Sequence, residues 1–326
     1  MKRIFTIGLC VLLVASMFFI SGCGSKSATL KFGAGVYISA PTATDATADK
    51  EGTGKIDITV AAVTVDKDGK IVACALDTAS NTVKFTADGK CVATYDFKTK
   101  YEYGKDYNMV AYGGAAKEWF EQADAFEALV AGKTLDEVKA LVAEGNKGTD
   151  EVIKAGCTIM INEFVGAIEK AYNAAADSKV TEKDILKVTA ATEQTCTDVT
   201  AEKDGSNKVS TTVFATALDA NSVVVAASSD CVEVAFTFDA QGKSTLDTSK
   251  AVVSKKDQGA NYGMVAYGGA DKEWFEQAAA FDAACIGKSA TDISELLGDD
   301  GKGVDDLQKA GCTIYVTGFV KAATKI

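Results

Sequence analysis

DYNMVAYGGAAKEWFEQADAF, from Asp106 to Phe126, returns 155 positions later as NYGMVAYGGADKEWFEQAAAF, from Asn261 to Phe281, with 17 of 21 residues unchanged. The same offset carries on to AGCT, at Ala155 to Thr158 and Ala310 to Thr313, so spacing as well as composition is kept and the chain reads as a tandem duplication. Inside the repeated stretch, Trp119, Phe120, Ala123, Phe126, Leu129 and Val130 recur at helical spacing and predict an amphipathic helix. Upstream the period is that of strands. Lys55 to Val65 alternates, Asp66 to Gly69 is a hairpin turn, and Ile71 to Leu76, Thr82 to Thr86 and Cys91 to Phe97 follow as short strands. Leu30 to Ser39 is an opening strand whose partner, Leu186 to Thr195, starts the second copy with the same Leu-Lys pair.

Downstream, Thr134 to Glu137 fits a capping box before a helix ending near Ala143, and Asp150 to Ala155 is a short helix stopped by Gly156. Asn162 caps a last helix carrying Phe164, Val165, Ile168 and Ala171. Strands first and helices after predict an α+β fold: two tandem copies of a small domain, residues 30–175 and 180–326, each an antiparallel sheet covered by helices with its own core.

Lys2 and Arg3 lead an apolar run from Ile4 to Ile20 that is short for a membrane span and reads as an export signal over residues 1–22. It ends at Ile20-Ser21-Gly22-Cys23, which resembles a bacterial lipobox. That resemblance implies acylation of Cys23, a tether over residues 23–29, and a lipid-anchored protein on the extracytoplasmic face of the cell membrane. Loss of residues 1–22 removes two positive charges and takes the formal charge from -11 to -13, a balance that argues against nucleic acid as partner.

The chain has no histidine, and Arg3 is its only arginine. Ser-His-Asp and Cys-His catalysis, His-ligated zinc and arginine clamps on phosphate are thereby excluded. No catalytic residue or metal ligand set is assigned, and the protein is read as a non-enzyme. Cys74, Cys91, Cys157, Cys196, Cys231, Cys285 and Cys312 form no CxxC pair; only Cys157 and Cys312 match between copies, so most are read as small buried thiols.

Two turns are candidate binding sites. Tyr112-Gly113-Gly114 and Tyr267-Gly268-Gly269 stand between a strand and the Trp-bearing helix, with Lys117 or Lys272 in the first turn. Amides, helix dipole and ammonium together make a phosphate cradle. Gly-Gly before a helix is equally what a tight turn demands. Gly156-Cys157-Thr158 and Gly311-Cys312-Thr313 offer the hydroxyls of Thr158 and Thr313 to covalent chemistry or to an anion; a helix C-cap followed by a buried Cys is the other reading. Trp119-Phe120 and Trp274-Phe275 are core anchors, and Glu118, Glu121, Glu273 and Glu276 form a solvated face.

Gly35-Val36-Tyr37, the strand pair split by Asp-Gly, and the late small-Gly-small-Thr turn before a final helix resemble the bacterial FMN-binding domain of exported and membrane-bound flavoproteins. In that family a Ser-Gly-Ala-Thr turn carries FMN through a phosphoester to the Thr. Gly156 and Thr158, and Gly311 and Thr313, match it, whereas Ala and Cys replace its Ser and Ala. The resemblance implies bound FMN, and a flavin-transfer or redox partner. Gly263-Met264, Gly132-Lys133-Thr134 and Thr158-Ile159-Met160-Ile161 are also similar to repeat lipoproteins of anaerobic, gut-type bacteria, which implies a surface location. The alternative function is a cofactor-free module or adhesin that displays its two copies to a polymer or to a host protein such as an immunoglobulin.

Overall fold

Gly52 of one long hairpin lies opposite Phe85, and Gly205 of another lies opposite Phe238. Around these two hairpins, a computed structural model describes residues 28–93 and 96–326, so the export signal and Cys23 lie outside the described residues. The first half contributes strands β1 (Lys31–Ile38), β2 (Thr42–Thr44), β3 (Gly52–Val65), β4 (Ile71–Phe85) and β5 (Cys91–Val92). Helices α1 (Lys100–Tyr103), α2 (Trp119–Val130), α3 (Leu135–Lys139), α4 (Asp150–Ala155) and α5 (Asn162–Asn173) follow, then strand β6 (Ala176–Asp177). The second half runs β7 (Ile185–Thr197), β8 (Gly205–Leu218) and β9 (Val224–Phe238), then α6 (Lys255–Gln258), α7 (Trp274–Cys285), α8 (Ala290–Ser294), α9 (Asp305–Lys309) and α10 (Thr317–Ala323).

The protein is mixed α/β with two antiparallel sheets. One has the order β5-β4-β3-β1-β6, with β2 also on β3, and the other the order β7-β8-β9. Both hairpins carry a register shift near the turn, at Thr64/Val65 and at Ala217/Leu218. Ile71 to Leu76 and Thr82 to Thr86, expected as separate strands, are one continuous β4. Its central Asp77, Thr78 and Asn81 are buried but each has a polar partner, so the ladder need not break.

Each sheet is covered on one face by its own helices. Ala61, Val63 and Val65 of β3 pack with Trp119, Phe126, Phe164 and Ile168, while Phe214 and Leu218 of β8 pack with Trp274, Phe281 and Phe319. The expected solitary cores account for only these faces. The opposite faces pack on each other: Ile56, Ile58, Val60 and Val83 share a cluster with Val209, Val213, Val232 and Phe236. Layers therefore run helices, sheet, sheet, helices, and β3 is buried on both sides from Ile58 to Val65. Gly54 permits the approach, because a Cβ there would collide with the Phe236 ring.

Polar groups fix the register between sheets. Asn81 donates to the Thr211 hydroxyl at 2.7 Å and accepts from Thr192 at 3.2 Å, while Asn207 donates to the Lys84 carbonyl at 3.1 Å. Phe85 and Phe238 stack with centroids 4.5 Å apart. A disulfide, Cys91–Cys196, ties β5 to β7; among the described residues Cys74 is partly buried and the other free thiols, Cys157, Cys231, Cys285 and Cys312, are buried.

Candidate functional site

The amino end of α2 is occupied by protein carboxylates. Glu118 is its N-cap, is only 6% exposed, and accepts the amides of Met109 at 2.9 Å and Val110 at 3.2 Å; its own amide donates to Glu121 at 2.8 Å. Glu273 does the same for Met264 and Val265, with Glu276 behind it. The solvated-face expectation is corrected for Glu118 and Glu273, whose negative charge takes the dipole position where a phosphate was expected.

Gly113 and Gly114 stand several residues before that N-cap and follow a 3-10 turn, Gly104–Tyr107, in place of the expected strand. The Gly113 amide is spent on the Asn108 carbonyl, and Gly114 takes φ +67°; Gly268 and Gly269 repeat the arrangement with Gly263. What this loop presents is aromatic. Tyr112 and Tyr267 are 88% and 92% exposed, on loops of identical sequence.

The other predicted residues do come together. Gly156 (φ +106°) and Gly311 (φ +101°) end α4 and α9, and the ammonium groups of Lys117 and Lys272 lie where a Cβ would be built on each. Thr158 donates through its amide at 2.8 Å and its hydroxyl at 3.0 Å to the Gln122 side-chain oxygen, and Thr313 does so to Gln277. Gln122 and Gln277 are buried and reach back to the carbonyls of Lys117 and Lys272 at 3.0 Å. The Gly156 and Cys157 amides bond to Ile153 and Val152. Lysine, glycine and threonine of each predicted pair of turns are thus neighbours, but the turn's amides are already engaged within the protein.

Behind Thr313 opens a cleft of about 650 Å³ that sequence reading missed. Lys255, the first residue of α6, lines it. Ser254 caps that helix by accepting the Asp257 amide at 3.1 Å, and buried Asp230 of β9 accepts the amides of Cys231 and Lys256 at 2.7 and 3.0 Å. Burial pushes Asp230 up to about 6, against the hydrogen bonds that favour its charge. So anchored, Lys255 points its ammonium at Glu233, 3.1 Å away, and sits 5.1 Å from the Tyr262 ring centre and 5.7 Å from that of Trp274. Burial acts to lower the Lys255 pKa, but Cys231, Tyr262 and Glu233 hold it above the ordinary lysine value. Burial likewise works to raise Glu233, but Lys255 and Lys208 keep it below the ordinary carboxylate range.

The first half repeats the construction. Asp77, also raised to about 6 by burial, accepts the amides of Thr78 and Tyr101, and Lys100 lies 5.7 Å from the Tyr107 ring and 5.6 Å from the Trp119 ring. The acid changes strands. Asp57 of β3 faces Ser80 of β4, whose hydroxyl donates to it, whereas Ser210 of β8 faces Glu233 of β9 and donates to it at 3.3 Å. Lys55 pairs with Asp57 and Lys208 with Glu233, both at 3.2 Å. This swap hid the site, because no shared acid stands at one repeat position; the visible trace was Thr99-Lys100 matching Ser254-Lys255 where neighbouring residues differ.

Two carboxylates, Glu193 and Glu233, border the second-half cleft. Against them stand Lys255 and Lys302 in its lining and Lys208 and Lys321 paired to those acids. On a chain of formal charge -11 the lining is charge-balanced, two lysines against two glutamates. Tyr262, Met264, Ile314 and Tyr315 give it apolar wall. Among the described residues no group of His, Cys, Asp and Glu is arranged to hold a metal ion, and no helix is long and apolar enough to cross a membrane. No family model matches the chain, and no curated protein and no solved structure matches it either.

Proposed function

We propose that this is a lipoprotein acylated at Cys23 and held on the extracytoplasmic face of the cell membrane, built from two tandem copies of one α+β unit, which binds a small anionic molecule without transforming it. The observation that carries the reading is Lys255: an ammonium 13% exposed, caged by two aromatic rings, lining a cleft whose two lysines balance its two glutamates in an otherwise acidic chain. FMN, which the family resemblance suggests, combines a phosphate for such a lysine with a planar ring for the Tyr262 and Tyr315 side of the cleft. Phosphate held here would lie beside Thr313, the hydroxyl that the resemblance singles out. A flavin-transfer or redox partner would load or use that cofactor, whose chemistry is its own.

Thermal denaturation with FMN and with riboflavin, which lacks the phosphate, tests the anion requirement. FMN is expected to raise Tm and riboflavin to leave it unchanged, and Lys255→Met to remove the FMN effect. An equal response to both flavins, or a Lys255→Met variant that responds as the parent does, ends this reading.

A second reading has its own observation. Tyr112 and Tyr267 stand bare on identical loops stiffened by Glu118 and Glu273, a form suited to gripping a polymer or a host protein such as an immunoglobulin with two-point avidity. Tyr112→Ser with Tyr267→Ser should abolish capture of immobilised immunoglobulin; undiminished capture would count against it.

A further inference from the structure

Between the two halves lies another cavity, of about 680 Å³, which shares no lining residue with the cleft behind Thr313. The first half gives it Leu76 and Asp77 of β4, Tyr101 of α1 and Glu127 of α2; the second gives it Ile185 to Thr189 of β7 and the turn after β8. Glu127 meets this space with one oxygen unused. Its Oε1 accepts the Leu76 amide at 2.6 Å, whereas Oε2 has no hydrogen-bond or ion-pair partner among the described residues and is not sealed off by protein.

The second half shows what such an acid has when it is fully served. Glu127 and Asp282 each follow the last residue of the repeated stretch and are counterparts. Asp282 is 8% exposed, and both its oxygens are spent on Ser229, Oδ2 on the amide at 2.9 Å and Oδ1 on the hydroxyl. The Lys256 ammonium stands beside that pair, 2.7 Å from the Ser228 hydroxyl and 3.5 Å from the Ser229 carbonyl. In the first half Leu76 replaces Ser229, just before the aspartate that anchors the lysine helix, and Tyr101 replaces Lys256, just after the caged lysine. The hydroxyl and the ammonium are both lost, while the acid is one methylene longer. Among the cavity's own lysines, Lys325 is spent on Glu102 at 2.7 Å and on the Ala190 carbonyl at 2.6 Å. That leaves Lys187 in a wall that carries Asp77, Glu102, Glu127 and Asp219.

We infer that this cavity binds a small molecule bearing a primary ammonium on an apolar body, the ammonium donating to Oε2 of Glu127 beside the Tyr101 ring, as an external substitute for what Lys256 supplies in the other half. The inference does not rest on the anion-binding reading. Tyr101 is 44% exposed, and its place is fixed by donation to Asp124 at 2.7 Å and by an edge contact with Phe120, so an aromatic wall stands ready for a cation. Leu76, Leu186 and Ile185, the last 67% exposed, offer apolar surface to the body. Burial, with Asp124 and Asp77 nearby, keeps a proton on Glu127 up to about 8; an arriving ammonium takes over the neutralising role, and that proton leaves to water.

Calorimetric titration of the whole chain at pH 8.5 with phenethylamine, 2-phenylethanol and phenylacetate separates charge from apolar body. Phenethylamine is expected to saturate one site, and the alcohol and the acid to bind roughly tenfold more weakly or not at all. Glu127→Gln keeps the acceptor for Leu76 and should weaken phenethylamine by roughly tenfold or more. Tyr101→Lys gives the first half the ammonium that the second already has; it should weaken phenethylamine to a similar degree with Tm kept or raised, and it decides the matter where Glu127→Gln does not fold. Equal affinity for amine and alcohol overturns the inference, as does phenethylamine binding that ignores both substitutions. Absence of phenethylamine binding overturns it too, whatever FMN does at Lys255.

Discussion

Glu127 projects from α2 to the backbone of β4, where its carboxylate accepts the Leu76 amide at 2.6 Å. Burial pushes this carboxyl up to about 8, with help from the nearby charges of Asp124 and Asp77 and against the Leu76 hydrogen bond. A raised acid means that the folded chain holds a proton that the unfolded chain has released. The stability tied to Glu127 is thus complete below the ordinary carboxylate range and is lost as pH climbs from there toward 8. Glu127→Gln keeps the acceptor and removes the titration. It should raise Tm by several degrees at pH 8.5 and leave it unchanged near pH 4, and a parallel shift at both pH values in melting curves would refute the assignment. Asp77 and Asp230, at about 6, add the same sign over a narrower range. Glu273 acts differently, as acceptor for two backbone amides; Glu273→Ala should cost about 1–3 kcal/mol in urea unfolding. The sequence showed Glu118 and Glu273 beside a tryptophan at a helix start but not their direction, since a glutamate at that place reads as solvated until the Met-Val amides folded back onto it are seen.

At the scale of elements, the helices were the most legible part. Trp119–Val130, the Thr134 capping box and the Gly156 stop stand where spacing and caps placed them, because each signal lies within a few neighbouring residues. The middle of β4 was not legible, since Asp77, Thr78, Ser80 and Asn81 read as a polar interruption and their partners lie on α1, β3 and β8, far off in sequence. The same distance hid the cleft, whose lysine comes from a four-residue helix and whose acid comes from either of two strands. The Cys91–Cys196 link between β5 and β7 spans 105 positions, and no spacing rule pairs such residues. Cys91→Ser with Cys196→Ser should lower unfolding free energy by about 2–5 kcal/mol, and reductant should do likewise to the parent chain. Coincident denaturation curves for parent and double variant would show that the sheets hold together without it.

For the whole molecule, repetition and element order were plain in the sequence, but the meeting of the two sheets was not. Val209, Val213, Val234 and Phe236 look apolar whether they face a helix or another sheet, and nothing local separates the two cases. Their burial against Ile56, Ile58 and Val60 has a measurable consequence. Residues 178–326 expressed alone should pair with themselves or precipitate, because one sheet face loses its cover. A monodisperse monomer by size-exclusion chromatography with light scattering would contradict this.

The pairing of sheets also sets an order of events during synthesis. A ribosome finishes the entire first hairpin, with Cys91 just beyond it, before the strand bearing Cys196 has been translated. Until β7 to β9 arrive, the nascent half carries an oily sheet and a lone thiol with Cys74 and Cys157 as the nearest wrong mates in the chain. Late completion makes this interval the moment at which a chaperone or a thiol oxidoreductase has most to do.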